Sequence, residues 1–266
     1  LAKRLPDNDS SASFTMWATG FGPSVFREMR MKNSPDVVDG FRMLGREVTR
    51  LESFADGVFA FALTLLVVSL EVPKSFADLI DTMRGFPAFA VCFAMLARIW
   101  NTHYKFSRRY GLDDATTRFL TCVLLFIVLF YVYPLKFLFT LSINDMIFGR
   151  SINAPVISKS ELSTLFSVYS FGFAGIYFAF SLLYLHAWRR RDALEVSPIE
   201  KLETRYIIFR VVAVAIVGLV AAGVVRLSGS PSWGGLIYLF LIPILRGSRI
   251  VHRRWRTALF SATQSV

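Results

Sequence analysis

One stretch of the sequence places charge at the head of a long apolar run. It reads Arg50-Leu-Glu52-Ser-Phe54-Ala55-Asp56-Gly57, continues through Phe61, Thr64, Leu65 and Val68, and stops at Val72-Pro73. An aspartate at the start of a bilayer-spanning segment is costly unless it is paired, hydrated or held at the interface. Arg50 and Asp56 are six residues apart and do not share a helix face, so the carboxylate must look to another helix, another subunit or water. On a helical wheel, Arg50, Phe54, Gly57, Phe61, Thr64, Leu65 and Val68 form one stripe, while Glu52, Asp56, Ala60 and Leu63 form a second, well round the helix from the first. The first stripe is apolar with a single hydroxyl. Such a strip packs against lipid or a neighbouring helix, or lines an ion path whose apolar constriction gates by excluding water. The wheel alone leaves both readings open.

These residues must be positioned by membrane helices. The chain has 266 residues, 54% of them hydrophobic, with a mean hydropathy of +0.49, more apolar than a soluble domain of this size. The excess is gathered into runs of about twenty residues, the length that crosses a bilayer. The runs predict six spans: from Phe54 to about Val72, Phe86 to Tyr104, Arg118 to about Leu141, Leu162 to Trp188, Tyr206 to Arg226, and Trp233 to Leu245. Pro87 suits the first turn of the second span. Pro134 is expected to kink the third or loosen its outer half. The sixth has the shortest apolar core and is expected to continue as a basic helix past Pro243. The fold class expected is therefore an all-α membrane protein with six transmembrane helices per chain.

Charge orients these helices. Of the thirty Lys and Arg, twenty-three fall in residues 1–50, the second-to-third connection, the fourth-to-fifth connection with its edge, and the tail. Lys74, Arg84, Arg150, Lys159 and Arg226 fall on the opposite side, and Arg98 and Lys136 lie within spans. This bias predicts a multi-pass protein of the cell membrane with both termini cytoplasmic, and it accounts for the net charge of +11 without a nucleic-acid partner. Residues 1–45 read as a poorly ordered or interfacial cytoplasmic segment without a secretory signal, 46–250 as the transmembrane domain, and 251–266 as a basic cytoplasmic tail. Arg246 to Arg256 could meet anionic headgroups, although the orientation bias explains most of that charge. Cys92 and Cys122 lie in apolar runs and read as small core residues, and His103, His186 and His252 are too scattered for a zinc site. Arg98 is expected to pair with a carboxylate or to snorkel, Lys136 is expected to snorkel, and His186 with Trp188 reads as an interfacial helix end. Asp78, Asp81, Asp145, Glu71 and Glu161 fall on the outer side, where they would enrich cations or simply be solvated. A nucleophile or metal set facing one leaflet is not apparent, so an enzyme is not expected.

The motif Arg50-x-x-x-Phe54-Ala55-Asp56-Gly57, followed by Thr64-Leu65-Leu66 and Val72-Pro73, resembles the first helix of the transmembrane protein 175 family, the bacterial relatives of the endosomal and lysosomal potassium channel. Trp100-x-x-His103 in the second span and Tyr133-Pro134 in the third extend the resemblance over about residues 46 to 140. It implies a homotetramer in membrane lipid whose pore is lined by the first helix, conducting potassium ions passively, with no cofactor beyond the permeant ion. Carried onto this chain, the constriction falls at Phe61 and continues at Leu65 and Val68, and the selectivity position falls at Thr64. Arg50, Phe54, Asp56, Gly57, Trp100 and His103 form the motif and helix-packing cluster near the cytoplasmic mouth. The chain departs from the pattern in two places: Ala55 replaces the motif serine, and Phe61 replaces an aliphatic residue. Four phenyl rings would close the axis more tightly, or would offer ring faces to a cation.

Two alternatives stand beside the channel: a secondary transporter, which lacks support from paired Gly/Pro-broken helices, and a non-conducting structural member of the same family, blocked at Phe61. The six-span topology is tested by labelling. In a background without Cys92 and Cys122, Ser151→Cys should react with an impermeant maleimide from outside, and Ser197→Cys only after permeabilisation. Labelling of both from one side would overturn the six-span arrangement.

Overall fold

The computed structural model describes residues 37–38, 41–45, 47–68, 73–148 and 158–264. A two-stranded antiparallel ribbon, β1 (Val37–Val38) and β2 (Phe41–Arg42), precedes eight helices. These are α1 (Arg50–Val68), α2 (Phe76–Arg84), α3 (Phe86–Tyr110), α4 (Ala115–Phe148), α5 (Lys159–Arg189), α6 (Pro198–Ser228), α7 (Pro231–Leu239) and α8 (Leu241–Gln264). Five stretches are long and apolar enough to cross a bilayer, and the pair α2 and α3, bent by 44°, makes a sixth if counted as one broken span. The protein is an all-helical, multi-pass membrane protein, as the apolar runs predict. In lipid this is one of only two ways to satisfy every backbone N–H and C=O within the spanning structure.

Local sequence sets the helix ends. Thr49 starts α1 in a Thr-x-x-Glu pattern, its Oγ1 accepting from Glu52 N at 3.1 Å. Reciprocal capping boxes start α5 at Ser158 with Glu161, and α6 at Ser197 with Glu200, where Pro198 occupies the first turn. Gly111 closes α3 in the left-handed region at φ 56°. Several boundaries differ from the sequence expectation. Helix α1 ends at Val68, and Val72 lies outside the described residues. The second span begins with a separate amphipathic helix, α2, capped by Ser75, and α3 continues to Tyr110. Helix α4 runs through Pro134 to Phe148, so the proline does not end it. The sixth span breaks at Phe240 between α7 and α8, and α8 carries the basic residues onward as expected.

The helices pack in an arc. Helix α1 lies at one edge against α3 and α4; α4 packs on α5, α5 on α6, and α7 and α8 on α6. The core is aromatic and small-residue in character. Tyr131, Tyr169, Phe173 and Tyr238 form a chain of ring contacts, and Tyr238 donates to Ser170 Oγ at 3.1 Å. Gly172 lets the Tyr131 ring approach, because a Cβ there would sit 2.5 Å from its Cδ2. Cys92 is buried as expected, whereas Cys122 is exposed on α4, a correction to its reading as a core residue.

At the end holding the chain's basic loops, polar ties replace apolar packing. Arg42 Nε and Nη2 bond the buried Glu200 carboxylate at 3.1 and 3.2 Å, and its backbone N–H donates to Oε1 at 2.8 Å. Arg42 also donates to the Glu195 carbonyl. Gly45 and Arg108 exchange bonds of 3.1 and 2.9 Å. Thus residues 42 and 45, at the end of the segment expected to be poorly ordered, dock onto α6 and α3. Residues 1–36 lie outside the described residues. Asp114 caps α4 through Thr117 N at 2.9 Å, and its Oδ2 meets His186 Nε2 at 2.7 Å and Arg190 Nη2 at 3.4 Å. His186 is therefore a tie between α4 and α5, a more specific role than an interfacial helix end. Trp188 lies beneath Arg191 and Arg205, with the guanidinium carbons 5.0 and 5.9 Å from its ring centre.

Partial burial pushes the Asp114 carboxyl up, but the bonds from Thr117 and His186 outweigh it and hold the group at about 2. A carboxyl depressed on folding stabilises the protein above its unfolded-state pKa, and that contribution drains away as pH falls toward its folded value. Thermal melts of the detergent-solubilised protein should therefore lose stability below about pH 4. Asp114→Ala, which removes both the cap and the tie to His186, should lower stability at neutral pH by about 0.5–2 kcal/mol, the range for a lost helix cap, and should flatten part of the acid dependence. An unchanged acid profile in the variant would show that this tie is not what acid breaks.

Candidate pore-lining face and its support

Helix α1 has two faces of opposite character. Glu52, Ala55, Phe59, Ala62 and Leu66 are buried and recur at alternating steps of three and four residues. Phe54, Gly57, Phe61, Thr64 and Val68 recur at the same steps, displaced by two positions, about 200° round the helix, and all are exposed. Phe61 is 56% exposed and Val68 70%, in mid-span and at the end of an apolar helix whose other side is fully covered. Arg50 continues this exposed line at the first turn. Leu65, expected on the stripe, is half-buried and sits at its edge.

Thr64 donates its hydroxyl proton to Ala60 O at 2.9 Å. The helix backbone thus takes the proton, and the oxygen lone pairs remain available as acceptors. An oxygen that can only accept suits a cation. Gly57 leaves open space at the same face, with no atom within 4 Å of where a Cβ would stand.

The other motif residues support α1. Trp100 Nε1 donates to Asp56 Oδ1 at 2.8 Å, tying α3 to α1. The carboxylate therefore finds its partner on another helix, one of the three possibilities that its spacing from Arg50 leaves open. Trp100 stacks on Tyr104 with ring centres 5.7 Å apart. His103, one turn on, is buried beside Phe59 at 6.2 Å between ring centres, and its Nδ1 has no hydrogen-bond partner among the described residues. Asp56, Trp100 and His103 thus gather on the buried side and flank of α1, and Arg50, Phe54 and Gly57 lie on its exposed side.

Two supporting residues escape a reading by motif. Glu52 is buried at the foot of α1 and interacts electrostatically with Arg108, whose guanidinium holds Gly45 just ahead of the helix. Its position three after Thr49 is the available sequence signal. Lys136 reaches from α4 to the Leu66 carbonyl near the far end of α1, at 3.5 Å. Its ammonium is turned onto a carbonyl in the last turn of the helix, where a cation is favoured. Arg98 is exposed on α3.

Comparisons with known proteins agree with this arrangement. A family profile described as endosomal/lysosomal potassium channel TMEM175 matches residues 50–134, from the first turn of α1 to Pro134 in α4. A potassium channel of Marivirga tractuosa is 36% identical over 220 residues, covering 77% of this chain and 87% of that protein. A potassium channel of Chamaesiphon minutus is 26% identical over 151 residues, covering 54% of this chain and 65% of that protein. Among solved structures, a threonine-to-alanine variant of the potassium channel MtTMEM175, in complex with a nanobody–MBP fusion, superposes with a TM-score of 0.72 at 33% identity, covering 81% of this chain and 98% of that one. With the motif, the helical arrangement and the similarity all extending over the same helices, the chain belongs to the TMEM175 family of potassium channels.

Proposed function

We propose that four copies of this chain assemble with their α1 helices around a common axis and conduct potassium passively through the pore so formed. The observation that carries this reading is the bare stripe on α1: Phe54, Gly57, Phe61, Thr64 and Val68 are left uncovered by the chain's own helices. A stripe containing an acceptor-only hydroxyl has more use against an ion path than against lipid. Phe61 forms the narrowest ring, with Leu65 and Val68 continuing the apolar lining, and Thr64 supplies the oxygen that favours a partly dehydrated potassium ion. Apolar rings of this kind exclude water when narrow, so the resting conductance is low.

In this reading Arg50, Asp56, Trp100 and His103 set the tilt and rotation of α1, and Phe54 and Gly57 meet the neighbouring subunit near the pore mouth. Ala55, completely buried where the family motif has serine, supplies packing without a hydroxyl. Residues 46–250 form the channel domain, 1–45 and 251–266 are cytoplasmic appendages, and both termini face the cytoplasm, supported by the basic bias of the connecting segments.

Two experiments test these roles. Asp56→Asn should keep the side-chain shape, weaken the bond to Trp100 by about 1 kcal/mol, and chiefly reduce expression and the tetramer fraction in size-exclusion chromatography. A variant that assembles normally and changes only ion preference would place Asp56 in the permeation path instead. Liposome flux tests the constriction. Phe61→Ala should raise potassium and sodium leak together, because a wider ring wets, whereas Thr64→Ala should erode potassium preference more than total flux. Unchanged leak in a tetrameric Phe61→Ala protein would remove Phe61 from the constriction.

A further inference from the structure

Helix α8 is set apart by what it lacks. From Leu241 to Gln264 it carries Arg246, Arg249, His252, Arg253, Arg254 and Arg256, and neither Asp nor Glu. Leu241, Leu245, Ser248 and His252 form the less exposed seam of the helix, and Ile242, Arg246, Arg249 and Arg253 repeat the same spacing one residue later, about 100° round. All four of the latter are exposed. That side therefore changes along its length from an apolar residue, Ile242, to three arginines on successive turns. Trp255, 62% exposed, lies beyond them, an aromatic of the type enriched at membrane interfaces.

The seam with α6 beside this row holds polar atoms that nothing satisfies. The His252 ring stacks on Tyr206 at 4.1 Å with planes 17° apart, and the Arg210 guanidinium lies 5.5 Å from the Tyr206 ring centre. His252 Nε2, Tyr206 Oη and Arg210 Nε are all buried without a hydrogen-bond partner among the described residues. His252 Nε2 lies 3.3 Å from Glu203 Oε1, but that contact lacks hydrogen-bond geometry, and Glu203 is the acid at this seam. With His252 Nε2 facing the Glu203 carboxylate, two orphaned donors remain in adjoining side chains, Tyr206 Oη and Arg210 Nε, and such a pair calls for an explanation.

We propose that the α6–α8 seam is a binding site for the phosphate headgroup of an anionic phospholipid. Arg246, Arg249 and Arg253 pair with the headgroup oxygens, which suit the guanidinium fork. Tyr206 and Arg210 turn their orphaned donors toward the same phosphate, and an acyl chain follows the apolar surface at Ile242. The absence of any acid on α8, together with the apolar-to-basic change along one side, selects a lipid over a protein partner. The assignment to the cytoplasmic leaflet rests on the topology proposed above, but headgroup retention does not, so the two can fail separately.

The test uses the full-length protein, purified and delipidated in detergent, then incubated with phosphatidylglycerol or phosphatidylcholine of matched acyl chains. Native mass spectrometry counts the lipids retained per chain. Wild type should prefer phosphatidylglycerol by about tenfold or more, the selectivity that one or two arginines at an anionic surface provide. R246Q/R249Q/R253Q should abolish the preference, and Tyr206→Phe, which preserves the stack on His252, should weaken it severalfold. A control, K105Q/R118Q/R189Q, removes as many exposed charges elsewhere and should retain the preference. Equal retention of the two lipids, equal loss in the control, full retention by Tyr206→Phe, or displacement of phosphatidylglycerol by millimolar inorganic phosphate would each overturn the proposal.

Discussion

Everything in this structure turns on a helix that is covered on one side only. Ala55, Phe59, Ala62 and Leu66 lie within the chain's own core, and the residues two positions on from each of them are exposed. In a soluble protein such an apolar face would be hidden by more of the same chain. In a bilayer lipid can cover it at little cost, so exposure of Phe61 alone says little. What gives the face meaning is Thr64 within it and the charged groups that fix its rotation at the helix head.

Those groups form a chain of polar ties at one end of the bundle. Glu52 starts α1 on the Thr49 cap, Asp56 takes the Trp100 indole, and Arg108 clamps Gly45 ahead of the helix. Farther round the arc, Asp114 joins α4 to α5, Tyr110 joins α3 to α6 through Thr204 at 2.8 Å, and Arg42 fastens the N-terminal ribbon to Glu200 at the start of α6. Apolar side chains in lipid gain little from choosing one helix neighbour over another, whereas hydrogen bonds and close small-residue contacts discriminate between neighbours. The order of helices in the arc thus depends on these few polar residues and on positions such as Gly172, where one side chain must fit against backbone.

The opposite edge of the arc has another character. Helices α7 and α8 are among the least covered of the bundle, and α8 ends in arginines without a countercharge on its own length. One edge therefore leaves uncovered an apolar face that carries a hydroxyl, and the other leaves uncovered a helix that runs from apolar to basic. This division follows from where each helix falls in the arc, and the channel assembly and the lipid site proposed above both build on it.

Much of this was legible in the residues. Apolar runs of bilayer length identified the spans, because a helix of about twenty apolar residues crosses the lipid with its backbone bonds satisfied within itself. The six-apart spacing of Arg50 and Asp56 sent the carboxylate to another helix, another subunit or water, and the helical period grouped Phe61, Thr64 and Val68 on one face. Family resemblance then attached a function to that grouping. The sequence could not say that the buried face of α1 falls at Glu52, Ala55, Phe59, Ala62 and Leu66, which shares only Glu52 with the second wheel stripe and leaves Ala60 exposed, since only the packing of α3 and α4 selects it. Nor could it reveal that Leu65 falls at the stripe's edge, that Lys136 turns onto the Leu66 carbonyl, or that Arg42 reaches Glu200. Arg42 and Glu200 are separated by most of the chain, and His252 meets Tyr206 across two helices. Periodicity and local spacing act within one helix, whereas the partner of a buried charge is chosen by which helices become neighbours.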